Sequence, residues 1–205
     1  MFGQKRKSCG ISILAEAATS VKQRKIYHVK EHVTQQHDMN TYIDTTIVSI
    51  RNILICICKM FNEVYNIDTV SLRYFNVYGE RMNLEGAYKL EIAIFADQML
   101  QGKPLTINND GEQRRDFTYV GDVVDANVLA ALYKGKLNGQ SFNVGNGNNF
   151  SVNELADMFG GEKQYGEKRI EPKNSIAENA KIKLDLDWEP KNKLKTWINT
   201  FTEQN

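Results

Sequence analysis

No glycine lies between Gly10 and Gly79 in this chain of 205 residues, and no proline precedes Pro104. Those two residue types supply the positive φ angles and fixed bends of tight turns, so the first third does not read as short strands joined by tight turns. Cysteine is also scarce. Cys9, Cys56 and Cys58 make neither an even disulfide set nor a paired zinc spacing, which predicts free structural thiols in a reducing compartment. Charge of one sign is lacking too: 26 Lys and Arg face 25 Asp and Glu, for a net charge of +1. A polycation for nucleic acid is excluded on that balance. The most apolar run, residues 47 to 58, carries Arg51 and is too short for a bilayer core that needs roughly 20 residues. The apolar stretch at residues 11 to 15 is too short and is interrupted by Glu16, which argues against a signal peptide. A cytoplasmic protein with no membrane partner is the expectation.

What is present is an alternation of helix and strand patterns after about Asn52. Ile53, Ile57, Met60, Phe61 and Val64 recur at helical spacing over residues 52 to 65. Residues 69 to 75 (TVSLRYF) are β-branched and aromatic and predict a buried strand, entering the loop Asn76-Val77-Tyr78-Gly79. Further helices are predicted over 90–101, 122–133, 152–159, 177–184 and 194–201, with strands at 105–107, 116–120, 141–144 and near Arg169-Ile170. Ser151 and Glu154 form a capping-box pair. Residues before Asn52 show no such periodicity and are expected to be poorly ordered or irregularly packed.

The block Leu72-Arg73-Tyr74-Phe75-Asn76-Val77-Tyr78-Gly79-Glu80-Arg81 resembles the extended short-chain dehydrogenase/reductases, and within them the NAD-dependent nucleotide-sugar epimerases and dehydratases. The resemblance continues through residues 102–105, 110–117, 122–124, 142–145 and 188–190, so that it spans the C-terminal two-thirds, and is closest in kind to UDP-hexose 4-epimerases. It implies an α/β fold: the last part of a Rossmann-type nucleotide-binding sheet joined to a small α/β substrate-binding lobe. The chain then divides into an unrecognised segment 1–51, a sheet remnant 52–80 and a nucleotide-sugar-binding lobe 81–205.

By the same resemblance Tyr74 and Phe75 lie against the NAD nicotinamide, Asn76 donates to the substrate diphosphate, Thr106, Ile107 and Asn108 line the nucleoside, and Arg115 clamps phosphate. A planar guanidinium suits that last task because it meets two phosphate oxygens at once. Read without family context, Arg115 could equally pair with the adjacent Asp116, and Arg114 reads as a solvated surface charge. A second cation is expected before Ser175, where Lys168 stands in the ungapped register and Arg169 one residue on.

The departures lie upstream. No spaced glycine triplet can cradle a dinucleotide pyrophosphate before Gly79. The family's catalytic Tyr-x-x-x-Lys should fall at positions occupied by Ile47 and Arg51. The tyrosine exchanges a proton with the sugar hydroxyl and the lysine lowers its pKa, and neither isoleucine nor arginine does both. Tyr42 has Thr46 where the lysine is needed, and His28, His32 and His37 are irregularly spaced in a polar stretch, so neither a catalytic nor a metal site is assigned. Intact relatives would bind NAD and epimerise C4 of a UDP-hexose through a 4-keto sugar; this chain is expected to be truncated and inactive alone. The alternative is a non-catalytic protein that binds nucleotide sugar or pairs with a full-length relative, and a homodimer is open. An out-of-frame stretch before Lys59 would explain the abrupt loss of resemblance.

Overall fold

The strand β2 (Thr69–Tyr74) owes its central place to β-branched and apolar residues, with Val70 and Leu72 fully buried. In this computed structural model, which describes residues 25–30, 45–84, 89–169 and 171–204, β2 pairs in parallel with β1 (Lys25–Lys30) on one side and β7 (Gln140–Val144) on the other. Parallel neighbours need a crossover, and α1 (Thr45–Tyr65) lies between β1 and β2.

Both β1 and the first turns of α1 fall where the sequence pattern predicted no regular packing. The structure corrects that expectation. The six residues KIYHVK have no strict alternation, and their strand is specified by register against β2, which sets Tyr27 opposite Ser71 and Val29 opposite Arg73. Tyr42, His32 and His37 lie outside the described residues.

Successive side chains of a strand point to opposite faces. On one face of the sheet Val70, Leu72, Phe142 and Val144 pack with Val123, Ala126 and Ala130 of α3 (Val120–Leu132), with Ile182 and Leu186 of α5 (Ala180–Leu186), and with Trp188. On the other face lies α1, whose buried Cys58 accepts a hydrogen bond on its backbone oxygen from Thr69 Oγ1 at 2.7 Å. β7, α3 and α5 therefore complete the sheet's core, although the sequence division grouped them with the lobe.

The second core is the lobe. It joins β3 (Val77–Tyr78) in parallel to β6 (Thr118–Tyr119), β4 (Leu105–Ile107) in parallel to β9 (Lys163–Tyr165), and β5 (Arg114–Arg115) antiparallel to β8 (Phe150–Ser151). Tyr78, Ile92, Phe95, Leu105, Ile107, Phe117 and Phe159 fill it, between α2 (Glu91–Leu100), α4 (Val152–Phe159) and α6 (Leu194–Gln204). Phe95 meets Phe159 edge-on at 6.0 Å, a favoured aromatic geometry. The expected capping box starts α4: Ser151 Oγ accepts from the Glu154 amide at 3.0 Å, and Glu154 Oε2 accepts from the Ser151 amide at 2.7 Å.

Three boundaries differ from the sequence pattern. The strand expected at 116–120 shrinks to β6, separated from β5 by Asp116 and Phe117, as the Asp116 carboxylate turns inward to accept the amides of Asn146, Gly147 and Ala177 at 2.8, 2.9 and 2.9 Å. The strand expected near Arg169-Ile170 forms at β9 instead, and Ile170 lies outside the described residues. The helix expected at 177–184 begins at Ala180. No described helix is long and apolar enough to cross a membrane.

Candidate functional site

A cleft of about 410 Å³ opens between the turn after β4 and the segment after β9, lined by Asn109, Asp110, Gln113, Lys168, Arg169, Glu171 and Lys173. Its floor follows from the β4–β9 pairing, since two parallel strands end side by side and release their next residues into the same space. Gly166 donates to Ile107 O at 2.7 Å, and the Arg169 amide to Asn109 Oδ1 at 2.7 Å. Asn109 takes the left-handed conformation (φ 57°) that this residue type tolerates, which turns the chain back toward β5.

The cation side is built on β5. Arg115 leaves the strand on the buried side, with Nη1 donating to Pro172 O at 2.6 Å and to Arg114 O at 3.0 Å, and Nη2 bridging to Glu171 Oε2. Glu91 Oε1 stands 3.8 Å from its Nε. The guanidinium thus pairs with Glu171 rather than with Asp116, whose oxygens are used by backbone amides. Asn109 Nδ2 donates to Glu171 Oε1 at 3.0 Å and Gln113 Nε2 reaches it at 3.4 Å. Burial pushes the Glu171 carboxyl above its ordinary range, with Arg115 pulling the other way and Glu91 adding to the rise. Lys168 and Arg169 are both exposed at the cleft, and the structure leaves the choice between them open.

Other expected residues sit nearby but are occupied. The Thr106 amide and hydroxyl are both taken by the Gln98 side chain, at 2.9 and 2.7 Å. Ile107 is fully buried, and Asn108 offers its backbone oxygen to Gln113 Nε2 at 3.1 Å. Asn76 holds φ at 26° and donates its amide to Asp116 O at 2.7 Å, across the junction between the sheet and the lobe. Arg114, read from the sequence as a solvated charge, is corrected: it bonds Asn149 twice, at 2.9 and 3.0 Å, and pairs with Glu154 at 2.9 Å. Glu171 was missed as a site residue. Its position, an acid two residues beyond the cationic pair, was the only signal in the sequence.

Near β2 the side chains that the resemblance sets against the dinucleotide are engaged within the protein. The Phe75 ring is fully buried, and Gly145 opposite approaches so closely that an added Cβ would stand 3.2 Å from it. Tyr74 donates its hydroxyl to Asn127 Oδ1 at 3.0 Å, and burial pushes that hydroxyl up to about 12. Ile47 and Arg51 occupy the first two turns of α1, four residues apart and hence on one side of it. Among the described residues no three His, Cys, Asp or Glu side chains gather as a metal site.

Comparison with known proteins places this geometry. The model of the NAD dependent epimerase/dehydratase family matches residues 16–145, and so begins well ahead of Asn52, where the sequence pattern first became continuous. A Methanocaldococcus jannaschii protein, provisionally named a UDP-glucose 4-epimerase, is 40% identical over 146 residues, covering 68% of this chain and 46% of its own length. The crystal structure of Thermotoga maritima UDP-glucose 4-epimerase with UDP-glucose superposes with a TM-score of 0.73 at 30% identity, over 88% of this chain and 62% of that one. Bacillus cereus UDP-glucuronic acid 4-epimerase, in complex with UDP-glucuronic acid and NAD, gives 0.71 at 25% identity over 92% and 64%. The chain spans about half the length of the curated relatives it matches. With the Rossmann-type parallel strands, the lobe and the matched residues in agreement, the chain belongs to the NAD dependent epimerase/dehydratase family.

Proposed function

We propose that this chain binds a nucleotide diphosphate sugar, a UDP-hexose in kind, in the cleft around Arg115, and that it does not by itself epimerise that sugar. One observation carries the reading: the lobe keeps a cleft lined by Lys168, Arg169 and Lys173, with Arg115 paired to Glu171 of its wall, while Ile47 and Arg51 stand at the two positions where the chemistry needs a tyrosine and a lysine. Guanidinium and ammonium groups supply diphosphate affinity, but no phenol is available at Ile47 to exchange a proton with the sugar hydroxyl. Asn76, Thr106, Ile107 and Asn108 belong to the same reading as residues that shape the nucleotide's surroundings. NAD is not expected to bind tightly, and a cytoplasmic setting accompanies a soluble sugar nucleotide.

Calorimetric titration tests this directly. UDP-glucose should bind while NAD should not, and UDP-glucose incubated with the chain and NAD should yield no UDP-galactose. Tight NAD binding or turnover overturns the inactive reading; absence of UDP-glucose binding overturns the substrate reading.

A second reading is favoured by α1. Ile53, Ile57, Met60 and Val64 recur at helical spacing and are 56, 39, 43 and 66% exposed, an apolar stripe fit for another protein surface. On this reading the chain pairs with an intact relative or with itself. Co-purification with such a relative, in the absence of UDP-sugar binding, would replace the first reading with the second.

A further inference from the structure

A second cavity, of about 250 Å³, shares no lining residue with the Arg115 cleft. It opens where the chain leaves β3 and meets α6, with Glu80, Met82 and Leu84 on one side and Trp197, Phe201 and Gln204 on the other. The last three lie four and three residues apart, so one side of α6 forms that wall. The Trp197 and Phe201 rings stack at 5.2 Å with their planes 16° apart, and Tyr78 of the core meets Trp197 edge-on at 5.2 Å. The wall is therefore aromatic and braced from within. Glu80 is the one charged residue of the lining. Tyr119 donates its hydroxyl to both Glu80 oxygens, at 2.9 and 3.0 Å. Glu80's own backbone amide, with the Tyr119 hydroxyl and the Trp197 indole, holds the carboxyl below its ordinary range, so it is ionised at neutral pH. None of the salt bridges among the described residues uses it.

We propose that this cavity is a socket for an arginine side chain carried by a partner protein. Size, charge and shape choose that occupant. The volume falls short of the roughly 300 to 1,000 Å³ of sites that enclose a nucleotide-sized molecule, and it suits one long side chain. The carboxylate is oriented by neutral donors and offers its remaining lone pairs to a cation. A guanidinium is planar, so it can lie against the indole and still meet the carboxylate with two N–H groups, while Met82 and Leu84 cover its methylene stem. A lysine ammonium cannot do both. A free amino acid would also bring a carboxylate and an ammonium, for which the neutral rim residues Thr200 and Gln204 offer no opposite charge, whereas an arginine within a polypeptide brings neither. The site is independent of the nucleotide-sugar reading and of α1.

The chain's two tryptophans make the test selective. Trp197 lines the cavity, whereas Trp188 is 2% exposed and donates its indole N–H to Asp122 O at 2.9 Å. Acetyl-Gly-Arg-Gly-amide, titrated into the full chain, should move the Trp197 indole resonance saturably and leave that of Trp188 in place. The citrulline counterpart keeps the shape and loses the charge, and should bind about tenfold more weakly; the lysine counterpart keeps the charge and loses the plane, and should bind about threefold more weakly. Glu80→Gln should weaken the arginine peptide about tenfold, and Gln204→Glu, which adds a carboxylate at the rim, should strengthen it about threefold. Arginine-peptide binding that is the same in Glu80→Gln as in the unaltered chain overturns the proposal. Equal binding of the citrulline or lysine peptide, or a Trp197 resonance that no peptide moves, overturns it too. Free arginine binding more tightly than the peptide overturns the partner protein as the source. If Glu80→Gln fails to fold, Gln204→Glu on the exposed last turn of α6 decides, and unchanged or weaker arginine-peptide binding there overturns the proposal.

Discussion

The two faces of β2 obey different rules. Val70 and Leu72 look into a dry core with Phe142, Val144 and Trp188, all of them 2% exposed or less. Thr69, Ser71 and Arg73 look the other way, toward α1, and that face is polar. Thr69 is satisfied by Cys58, but Arg73 Nε is buried without an acceptor among the described residues, and so are Ser141 Oγ and Asn143 Oδ1 without donors on the adjoining strand. Ser141 and Asn143 lie in register with Ser71 and Arg73, so the orphaned groups form one patch. Burying a polar group without a partner costs about 1 to 3 kcal/mol, and buried groups in native structures are rarely left so. Elsewhere several buried carboxylates are well met: that of Asp116 accepts three amides, and that of Asp122 on α3 accepts the Lys191 and Asn192 amides at 3.1 Å each, although Tyr78 Oη, Gln113 Oε1 and Thr118 Oγ1 of the lobe also lack partners among the described residues. Beneath α1 such groups lie in register on two adjoining strands. That contrast parallels the functional one, since Ile47 and Arg51 are on α1 and the cleft is on the lobe.

Substitutions on the two faces should separate them sharply. Phe142→Ala, on the packed face of β7, should lower unfolding free energy by about 3 to 5 kcal/mol in a denaturant titration, since it empties a fully buried aromatic site. A loss below about 1 kcal/mol would mean that the core cluster is not formed. Arg73→Leu, one face away, should be neutral or stabilising by up to about 2 kcal/mol, because it replaces a partly desolvated cation whose Nε has no acceptor among the described residues with an apolar group. A clear destabilisation would show that Arg73 has a partner and that the two faces are equally well made. Ser151→Ala sets the scale for an intact lobe contact. It removes the α4 cap and should cost about 1 kcal/mol.

The smallest effect is one of pH. Burial raises the Tyr74 hydroxyl from 10 to about 12, so the fold favours its neutral form. The stability this gives is fully present below pH 10 and is lost as pH rises through 12. Tyr74→Phe should abolish that part of the loss, and the difference in tyrosinate absorbance between the two chains should show a group titrating near 12. Titration at the ordinary value would place Tyr74 in solvent and open the packed face.

Much of this was legible because local signals agreed with the tertiary structure. TVSLRY reads as a buried strand by composition, and Ser151 with Glu154 reads as a cap by spacing; both formed as expected. β1 was not legible. Lys25–Lys30 has no alternation strong enough to stand alone, and only pairing along β2 makes it a strand. Arg115 was legible as a cation in a family block, but its pairing with Glu171 joins residues 56 apart in sequence, a contact no local pattern contains. Asp116 was read as part of a strand for the same reason. Its three amide donors come from residues 30 to 61 positions away.

The account stands or falls on whether the lobe binds a nucleotide sugar while α1 plays no part. Backbone amide shifts followed by nuclear magnetic resonance during addition of UDP-glucose test this most directly. The predicted result is saturable shifts confined to residues 106–115 and 167–173, with residues 52–65 of α1 unmoved and no UDP-galactose formed. Shifts centred on α1, or conversion of UDP-glucose to UDP-galactose, would contradict it.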